Sequence, residues 1–349
     1  MIAAEWDALA DLVGADPFCR PGWLTAWTRA FTPEGRLGAV ALRGGGRLRA
    51  IVPLVRQGVV TSSPTNEHTP RFRILGEDPA AVAELATIVF RLRQRRLSLS
   101  PMDVEEGTLA AFREAGEAAG YRMIERVELR SPYVSLDGVA EPDGVLDRKM
   151  RKELRRCRRR LEEAGSLEAA VDRGEGDLDA ILDEAFAVEG LQWKGEGGTA
   201  ITSSPQTHAF YLDVARWAAA RGTLRLVNLR LDGRMIAFEL DILDASGLYS
   251  LKAGFDPEQA RFSPGHLVAL AAIGEGLAAG APTYELLGDA EPYKMRWTET
   301  TREMRSLDAS PGTAAGAVEH LRQRYLRPAG RRIAARASSI SPFGRTAGR

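Results

Sequence analysis

The sequence predicts an α/β protein whose mixed sheets are flanked by helices. Segments with apolar residues at helical spacing alternate along the chain with short segments of alternating apolar and polar residues, which is typical of this class. Two pairs of the alternating segments meet at strong turn signals, Gly44-Gly45-Gly46 and Asp232-Gly233, and each pair is predicted to be a β-hairpin. At 349 residues, the chain is long for one domain and comfortable for two.

Residues 1–135 are predicted to form the first α/β unit. Its helices are expected over Glu5–Val13, Gly22–Phe31, Ala80–Gln94 and Thr108–Ala119, and its strands over Leu37–Leu42, Arg47–Val55, Arg71–Leu75 and Leu97–Ser100. The Pro-, Gly- and Asp-rich stretch Ser131–Gly144 is predicted to be a linker. Because no glycine-rich phosphate loop follows these strands, this unit is expected to be structural or to shape an acceptor pocket.

The second unit, residues 145–308, is predicted to begin with a long basic helix over Asp147–Gly165. Nine of the thirteen residues from Arg148 to Arg160 are basic. Apolar residues spaced by four and three positions form a narrow packed seam on this helix, namely Met150, Leu154, Cys157, Leu161 and Ala164. The basic face is either a solvated surface or an arm that faces an anion, such as a phosphate or an acidic glycan.

The remaining elements of the second unit again alternate between strand and helix. Strands are predicted over Leu167–Val171, Leu224–Arg230, Met235–Ile242, Leu248–Ala253 and Thr283–Leu287, with Met304–Leu307 as a candidate last strand, and helices over Leu178–Trp193, Gln206–Arg221 and Gly265–Ala279. Residues 309–349 are rich in Ala, Arg, Ser and Gly and are predicted to be a largely disordered basic tail with one helix, Ala314–Leu326. The tail is either solubilising or a contact for an anionic membrane or a partner.

Composition excludes several classes of function. The net charge is zero, so no global field favours nucleic acid. Two distant cysteines and four histidines without ligand spacing predict neither a disulfide framework nor a metal site. The N-terminus lacks a signal-peptide pattern and no apolar run approaches ~18 residues, so a cytoplasmic enzyme is expected. Without a nucleophile elbow, CxxC or HExxH, a serine hydrolase or zinc enzyme is not expected.

The loop before the helix Gly265–Ala279 is predicted to bind a phosphate-bearing cofactor. A helix N-terminus attracts anions through free N–H groups and the helix dipole. Ser263 is expected to cap this helix, Gly265 to let a ligand approach closely, and Arg261 to add positive charge. The candidate cofactor-binding residues are Gly254, Phe255, Arg261, Ser263, Gly265 and His266. On spacing alone, Ser-Pro-Gly is equally a good start for a helix.

Lysine is scarce in this chain, with 42 Arg against five Lys. A lysine can stand where arginine cannot substitute, because it is a compact charge that can lose its proton, although codon bias alone can also leave a few. Lys252 is predicted to lie within a strand, where a charge is costly unless paired, so it binds substrate or forms a salt bridge. Trp193 and Lys194 precede a Gly-rich loop and are candidates to line the acceptor site, with a core Trp as the alternative.

Several short motifs, in this order and spacing, resemble the GNAT superfamily in its CelD-type polysaccharide-biosynthesis branch, which is similar to the Fem-type peptidoglycan transferases. They are Gln192-Trp193-Lys194-Gly195, the hairpin Leu229-x-Leu-Asp-Gly with Ile236-Ala237, Leu251–Asp256, Ser263-Pro264-Gly265, and Gly288-Asp289 before Tyr293-Lys294 and Trp297. The resemblance covers roughly Met150–Leu307, and the N-terminal half is similar only as a degenerate second copy. It implies tandem GNAT-like units, the second of them active, with acetyl-CoA or another acyl-CoA as co-substrate and no metal.

The resemblance also implies catalytic residues. Acyl transfer needs a neutral nucleophile and stabilisation of an oxyanion. Backbone N–H groups at the splayed end of the strand Leu248–Ala253 are expected to hold the carbonyl oxygen, with Gly254 permitting a kink. Lys294, in the Tyr293-Lys294 segment, is the implied charged stabiliser, or else a surface lysine beside a packed Tyr. The candidates for the general base are Asp289, then Glu239, and finally Asp256, although exposed carboxylates are common in turns.

Three hypotheses about function follow. The first is acyl-CoA-dependent N- or O-acyl transfer, most simply acetyl, onto a small molecule or a polysaccharide or envelope precursor. The second is a Fem-like transferase that uses charged tRNA, with the basic helix on the RNA phosphates. The third is a non-catalytic scaffold for polysaccharide assembly, with the Arg-rich tail as its contact.

Overall fold

The computed structural model of the chain describes residues 2–32, 36–103, 107–192, 201 and 204–326. The helices are α1 (Ile2–Leu12), α2 (Pro21–Phe31), α3 (Pro79–Arg91), α4 (Thr108–Ala118), α5 (Arg148–Ala164), α6 (Leu178–Gln192), α7 (Pro205–Ala220), α8 (Pro264–Ala278) and α9 (Ala314–Leu321). The strands are β1 (Arg36–Gly44), β2 (Arg47–Gln57), β3 (Val60–Ser62), β4 (Leu75–Gly76), β5 (Leu97–Asp103), β6 (Tyr121–Ser135), β7 (Leu167–Asp172), β8 (Leu224–Leu231), β9 (Arg234–Asp244), β10 (Gly247–Phe255), β11 (Thr283–Glu285) and β12 (Thr301–Pro311). The predicted α/β class is confirmed.

The strands form one mixed sheet in the order β1-β2-β3-β5-β12-β6-β11-β10-β9-β8-β7, with β4 paired to β2 outside this path. Both predicted hairpins are present, as the antiparallel pairs β1-β2 and β8-β9. Each half of the chain repeats one order of elements: two helices, a hairpin, a third strand, a helix, and a strand parallel to the third. The parallel pairs are β3-β5 and β10-β11. This repeat is the tandem arrangement that the sequence predicts.

The two units share strands. β12 lies between β5 and β6, in the sheet of the N-terminal unit, and pairs with β6 from Thr301 opposite Pro132 to Pro311 opposite Tyr121. The last residues of β6, Tyr133 to Ser135, pair with β11 of the second unit. The segment expected to close the second sheet therefore completes the first. The predicted linker is wrong over 131–135, because these residues are strand and Pro132 contributes its C=O to Leu286 N–H, at 3.1 Å.

Three apolar cores lie on the sheet. One lies beneath α3 and α4 of the first unit and another beneath α5 and α8 of the second. The third is shared by the two units, since α1 and α2 pack there with α6 and α7. In it, the rings of Trp23 and Phe210 meet edge to face at 5.3 Å between centroids, an arrangement favoured by the ring quadrupoles. The predicted seam of α5 is buried, except that its last member, Ala164, is exposed.

Two further expectations differ from the structure. The predicted strand Arg71–Leu75 is reduced to Leu75–Gly76 plus one bridge from Phe72 to Met102, because Arg71 turns inward to a buried ion pair described below. The predicted helix Ala314–Leu326 is α-helical to Leu321 and continues as one π-helical turn. Within the described part of the chain, no helix is both long and apolar enough to cross a membrane.

The position of β12 in the sheet of the first unit leads to a prediction about the domain boundary at residue 135. A fragment of residues 1–140 lacks β12, which leaves β5 and β6 unpaired along the edge where β12 lies. Unpaired strand edges and exposed apolar faces are unstable and prone to aggregate. We expect the fragment to show no cooperative urea transition by circular dichroism, and co-expression with residues 141–326 to restore one. Cooperative unfolding of the fragment alone would show that the first unit is self-sufficient.

Candidate functional site

β10 and β11 separate after a short parallel contact. They pair at Leu248 opposite Tyr284 and at Tyr249 opposite Glu285. β10 then continues to Phe255, whereas β11 ends at Glu285, so a gap opens between them. Backbone N–H and C=O groups that lose a strand partner must find another partner. The gap is therefore a place where an extended ligand can bind to the main chain of β10.

A β-bulge lies beside this gap. Ser250 pairs with Asp241 and Lys252 pairs with Leu240, so Leu251 is the extra residue of β10. Bulges redirect side chains and are frequent next to active sites. The kink is thus at Leu251, not at Gly254 as predicted. Gly254 instead allows close packing against α6, since a Cβ there would lie 2.8 Å from Phe238 Cε1 and 2.9 Å from Glu189 Cα.

On the sheet face covered by α6 and α7, the gap is bordered by a group of side chains that we call the Lys252 cluster: Lys252, Glu189, Tyr211 and His68. Lys252 Nζ lies 3.4 Å from Glu189 Oε1 and 5.5 Å from the Tyr211 ring centroid. Glu189 is 3% exposed. Its second carboxylate oxygen accepts a hydrogen bond from Ile201 N–H at 2.8 Å. Lys252 therefore forms a salt bridge, which is one of the two predictions made for it.

The protonation states in this cluster follow from burial. His68 Nδ1 lies 3.2 Å from Tyr211 Oη, and burial together with the positive charge of Lys252 lowers the pKa of His68. Burial, followed by the charge of Glu189, raises the pKa of Tyr211 well above its ordinary value. Both rings are therefore held neutral near pH 7.

On the opposite face, the one covered by α8, Glu239 and Asp241 are both buried. Tyr284 Oη donates a hydrogen bond to Glu239. Burial, with the negative charge of Glu239 added, raises the pKa of Asp241 well above its ordinary value. Neither oxygen of Asp241 has a hydrogen-bond donor among the described residues, as expected of a carboxyl that keeps its proton. Glu239, predicted as a base candidate, is thus one member of a buried acid pair.

Lys294, Tyr293 and Asp289 lie in the loop that follows β11. Lys294 is buried, and its Nζ donates to Leu287 C=O at 2.9 Å and pairs with Glu291 at 2.9 Å. Tyr293 is 57% exposed, and burial of its hydroxyl with the charge of Glu291 raises its pKa. Lys294 holds the loop at the edge of the gap. Its role toward a substrate stays a prediction.

The two predicted aspartate bases are engaged in local structure. Asp289 is exposed, and its Oδ1 accepts hydrogen bonds from Arg130 N–H at 3.1 Å and Ala290 N–H at 2.9 Å. Asp256 is buried, accepts a hydrogen bond from Glu258 N–H at 3.0 Å and pairs with Arg234. These contacts are those of carboxylates that fix turns.

The start of α8 differs from the prediction in one respect. Ser263 has a left-handed backbone, with φ of 51°, and its side chain does not cap the helix. The preceding 3₁₀ turn ends at this residue and sets that conformation. Ser263 C=O accepts from His266 N–H at 3.0 Å, and Pro264 has no N–H, so Gly265 offers the free amide of the first turn.

Side chains also cover this helix start. A Cβ at Gly265 would lie 3.2 Å from Phe255 Cδ1, so the Phe255 ring packs over the glycine. Arg261 is exposed and stacks on Phe262, at 4.6 Å from its ring centroid. The His266 ring stacks on Trp297, and burial lowers the pKa of His266. Gly265 and His266 thus lie in the first turn of α8, with the Phe255 ring against the Gly265 backbone.

Two cavities are lined by none of the predicted cofactor-binding residues. One, of 480 Å³, lies between α5 and α8. The other, of 180 Å³, is polar and is bordered by a buried ion pair between Arg71 and Glu285, 2.7 Å apart, to which Arg302 is added at 3.2 Å. No group of three or more His, Cys, Asp and Glu side chains in the described ranges is placed to hold a metal ion. Trp193 and Lys194, predicted to line the acceptor site, lie outside the described residues.

Sequence reasoning missed Glu189, Tyr211 and His68. Glu189 lies on a helix whose apolar pattern is diffuse, and Tyr211 follows the core residue Phe210. His68 reaches Tyr211 across 143 residues of sequence. No local pattern marks these side chains, because only packing of the two units brings them to Lys252.

The acid pair yields a prediction on stability. Because the pKa of Asp241 is raised, the folded protein keeps a proton that the unfolded chain releases above about pH 4. The contribution of Asp241 to the stability of the wild type is complete below that pH and is lost as the pH rises toward the folded-state pKa. Asp241→Asn removes this cost. We therefore expect the free energy of unfolding of the variant, relative to that of the wild type, to increase by about 1–3 kcal/mol from pH 5 to pH 8.

Urea unfolding at the two pH values measures this gain, with Asp289→Asn, an exposed carboxylate, as the control. An equal difference between Asp241→Asn and wild type at both pH values would show that Asp241 ionises normally in the folded protein.

Residues 148–295 match the family model described as the acetyltransferase (GNAT) domain. Comparison with curated proteins finds no match. Among solved structures, FemX is similar at a TM-score of 0.63 with 13% identity, over 93% of this chain and 98% of that chain. L-PGS from Bacillus licheniformis is similar at a TM-score of 0.54 with 12% identity, over 84% and 92%. Residues 148–295 thus match the model of the acetyltransferase (GNAT) domain, and the fold of the chain is similar to those of FemX and L-PGS along nearly their whole length.

Proposed function

We propose that this protein is an acyltransferase that moves an acyl group, most simply acetyl, from acyl-CoA to an amine or hydroxyl. The observation that carries the proposal is the gap between β10 and β11 beside the bulge at Leu251. The match of residues 148–295 to an acetyltransferase domain supports it. The chemistry forms a bond between the acyl carbon and the acceptor and breaks the thioester bond to sulfur, which leaves as a thiolate or thiol.

The backbone of β10 supplies the first requirement of acyl transfer. Beyond Tyr249, β10 has lost its partner on the β11 side. N–H groups in fixed positions stabilise the oxyanion of an acyl-transfer intermediate without having to reorganise. We assign this role to the main chain around Leu251, in place of the predicted kink at Gly254.

The donor and the acceptor reach this gap from opposite faces. Gly265 N–H and Arg261 would hold the phosphates of acyl-CoA, on the face of α8. The Lys252 cluster lies on the other face, where α6 and α7 pack. Two reactants held on opposite sides of one gap meet in a fixed orientation, which lowers the entropic part of the barrier. We therefore assign the acceptor to the Lys252 cluster.

Within the cluster, Glu189 is the proposed general base. Its carboxylate is held by Ile201 N–H and Lys252, and both contacts fix the direction in which it accepts a proton. The acceptor's proton goes to Glu189 as the bond to the acyl carbon forms. Lys252 lies 3.4 Å from the other oxygen of that carboxylate. Glu239, in its buried pair, supports the strand from the opposite face.

The acceptor class and the cellular setting are taken from the resemblance. The CelD-type branch favours a polysaccharide or cell-envelope precursor as acceptor, handled in the cytoplasm. The part of the Arg-rich tail beyond residue 326, which is outside the described residues, is proposed to contact an anionic membrane surface or a partner.

A Fem-like transferase that uses charged tRNA is the second candidate. The observation that favours it is α5, with nine basic and three acidic residues, in a fold shared with FemX. A basic helix on RNA phosphates predicts binding that weakens steeply as salt rises. Under this candidate, tRNA stabilises the protein at low salt and acetyl-CoA does not. A non-catalytic scaffold would respond to neither.

The donor site is tested by binding. Acetyl-CoA and desulfo-CoA are expected to raise the melting temperature of the wild type, since a ligand that binds the folded state stabilises it. Gly265→Val places a branched side chain against Phe255 and is expected to abolish the shift. Gly274→Ala, on the same helix and with a nearest contact at an ordinary 3.4 Å, is the control. Equal shifts of the melting temperature in all three proteins would show that the donor site lies elsewhere.

The acceptor site is tested by turnover. With an amine or hydroxyl acceptor found by screening for thiol release from acetyl-CoA, Glu189→Gln is expected to lower kcat at least about a hundredfold, because removing a general base costs that much. Affinity for desulfo-CoA should stay unchanged. Asp183→Asn, an exposed carboxylate on the same helix that pairs with His208, is the control. Full activity of Glu189→Gln would exclude Glu189 as the base.

A further inference from the structure

The 480 Å³ cavity lies between α5 and α8, at the edge of the sheet formed by β7 and β8. Its wall is apolar and is formed mainly by Leu154, Leu167, Leu229, Leu267, Leu270 and Ala271. The volume falls within the range of about 300–1,000 Å³ that small-molecule sites occupy. The cavity is on the opposite face from the Lys252 cluster, and neither Gly265 nor Arg261 of the proposed donor site lines it, so it is a second site.

Three arginines of α5 border this cavity. Arg151 is committed to structure, because it donates to Asp143 C=O at 2.9 Å and to Leu146 C=O at 3.1 Å. The side chains of Arg155 and Arg158 are 71% and 68% exposed and pair with Asp143 and Glu162 at the surface. Exposed ion pairs are weak, so these two guanidinium groups can exchange their carboxylates for a ligand's anion.

The positive charge of α5 favours a ligand that carries negative charge. The helix has nine basic and three acidic residues, a net charge of +6, and the acidic residues that line the cavity are Glu141 and Asp143. The arginine-rich residues 327–349 carry no acidic side chain, so α5 repels them as an occupant. An apolar wall below a cationic rim complements a molecule that is apolar along its length and anionic at one end.

We propose that this cavity binds an amphiphile with one alkyl chain and one anionic head group. The chain lies on the leucines, where burial of apolar surface supplies affinity, and the head group lies between Arg155 and Arg158. This site does not depend on acyl transfer at the β10-β11 gap, because binding requires neither a donor nor an acceptor.

Calorimetry on the purified full chain, with each amphiphile below its micelle-forming concentration, separates the contributions of the alkyl chain and of the charge to binding. Three probes are used. Decyl phosphate carries chain and charge, decanol carries the chain alone, and inorganic phosphate carries the charge alone. We expect decyl phosphate to bind at least tenfold more tightly than decanol, and phosphate to give no measurable heat. Decanol binding as tightly as decyl phosphate, or phosphate binding as tightly, would overturn the proposal.

Variants locate the site. Gly274→Leu is expected to fill the cavity and abolish decyl phosphate binding with the fold intact, because a Cβ there makes only an ordinary contact with Pro142, at 3.4 Å, and leucine favours a helix over glycine. Arg155→Gln with Arg158→Gln should weaken binding about tenfold. The matched control is Arg156→Gln with Arg160→Gln, on the same helix away from the cavity. Unchanged binding in Gly274→Leu, or an equal loss in the control, would contradict the assignment.

Discussion

The structure depends on β6, which belongs to both halves of the sheet. Its first part pairs with β12 and its last three residues pair with β11. β11 is only three residues long and is held between β6 and β10. Because β6 fixes β11 while β10 runs on past its end, the sheet has to open beside Leu251. The position of the proposed active site is therefore a consequence of how the two units are joined.

The join also brings side chains of the first unit to the Lys252 cluster, which we propose as the acceptor site. Phe31 and His68 of the first unit reach the second, where His68 stacks on Phe31 at 5.4 Å and contacts Tyr211. The neutral ring of Tyr211 in turn lies beside Lys252. Under this proposal the first unit shapes the acceptor pocket, which is one of the two roles that its sequence left open.

Local features of the fold were predictable from sequence. The hairpin at Asp232-Gly233, the seam of α5 and the helix α8 each follow from turn chemistry or periodicity within one segment. Long-range features were not, since no local signal shows that β12 inserts beside β5. Ser263 was expected to cap α8, but the 3₁₀ turn before it imposes a left-handed backbone. The Lys252 cluster could not be predicted for the same reason as the position of β12, because Glu189 lies 63 residues from Lys252 in the sequence.

The main chain of β10 at residues 250–252 is the proposed binding site of the acyl donor. Hydrogen–deuterium exchange with and without acetyl-CoA, in the absence of an acceptor, tests it directly, since an amide that bonds a ligand exchanges more slowly. We expect a peptide spanning Ser250–Lys252 to become protected, together with one at the start of α8. Protection confined to other segments, in a protein that turns over acetyl-CoA, would contradict it.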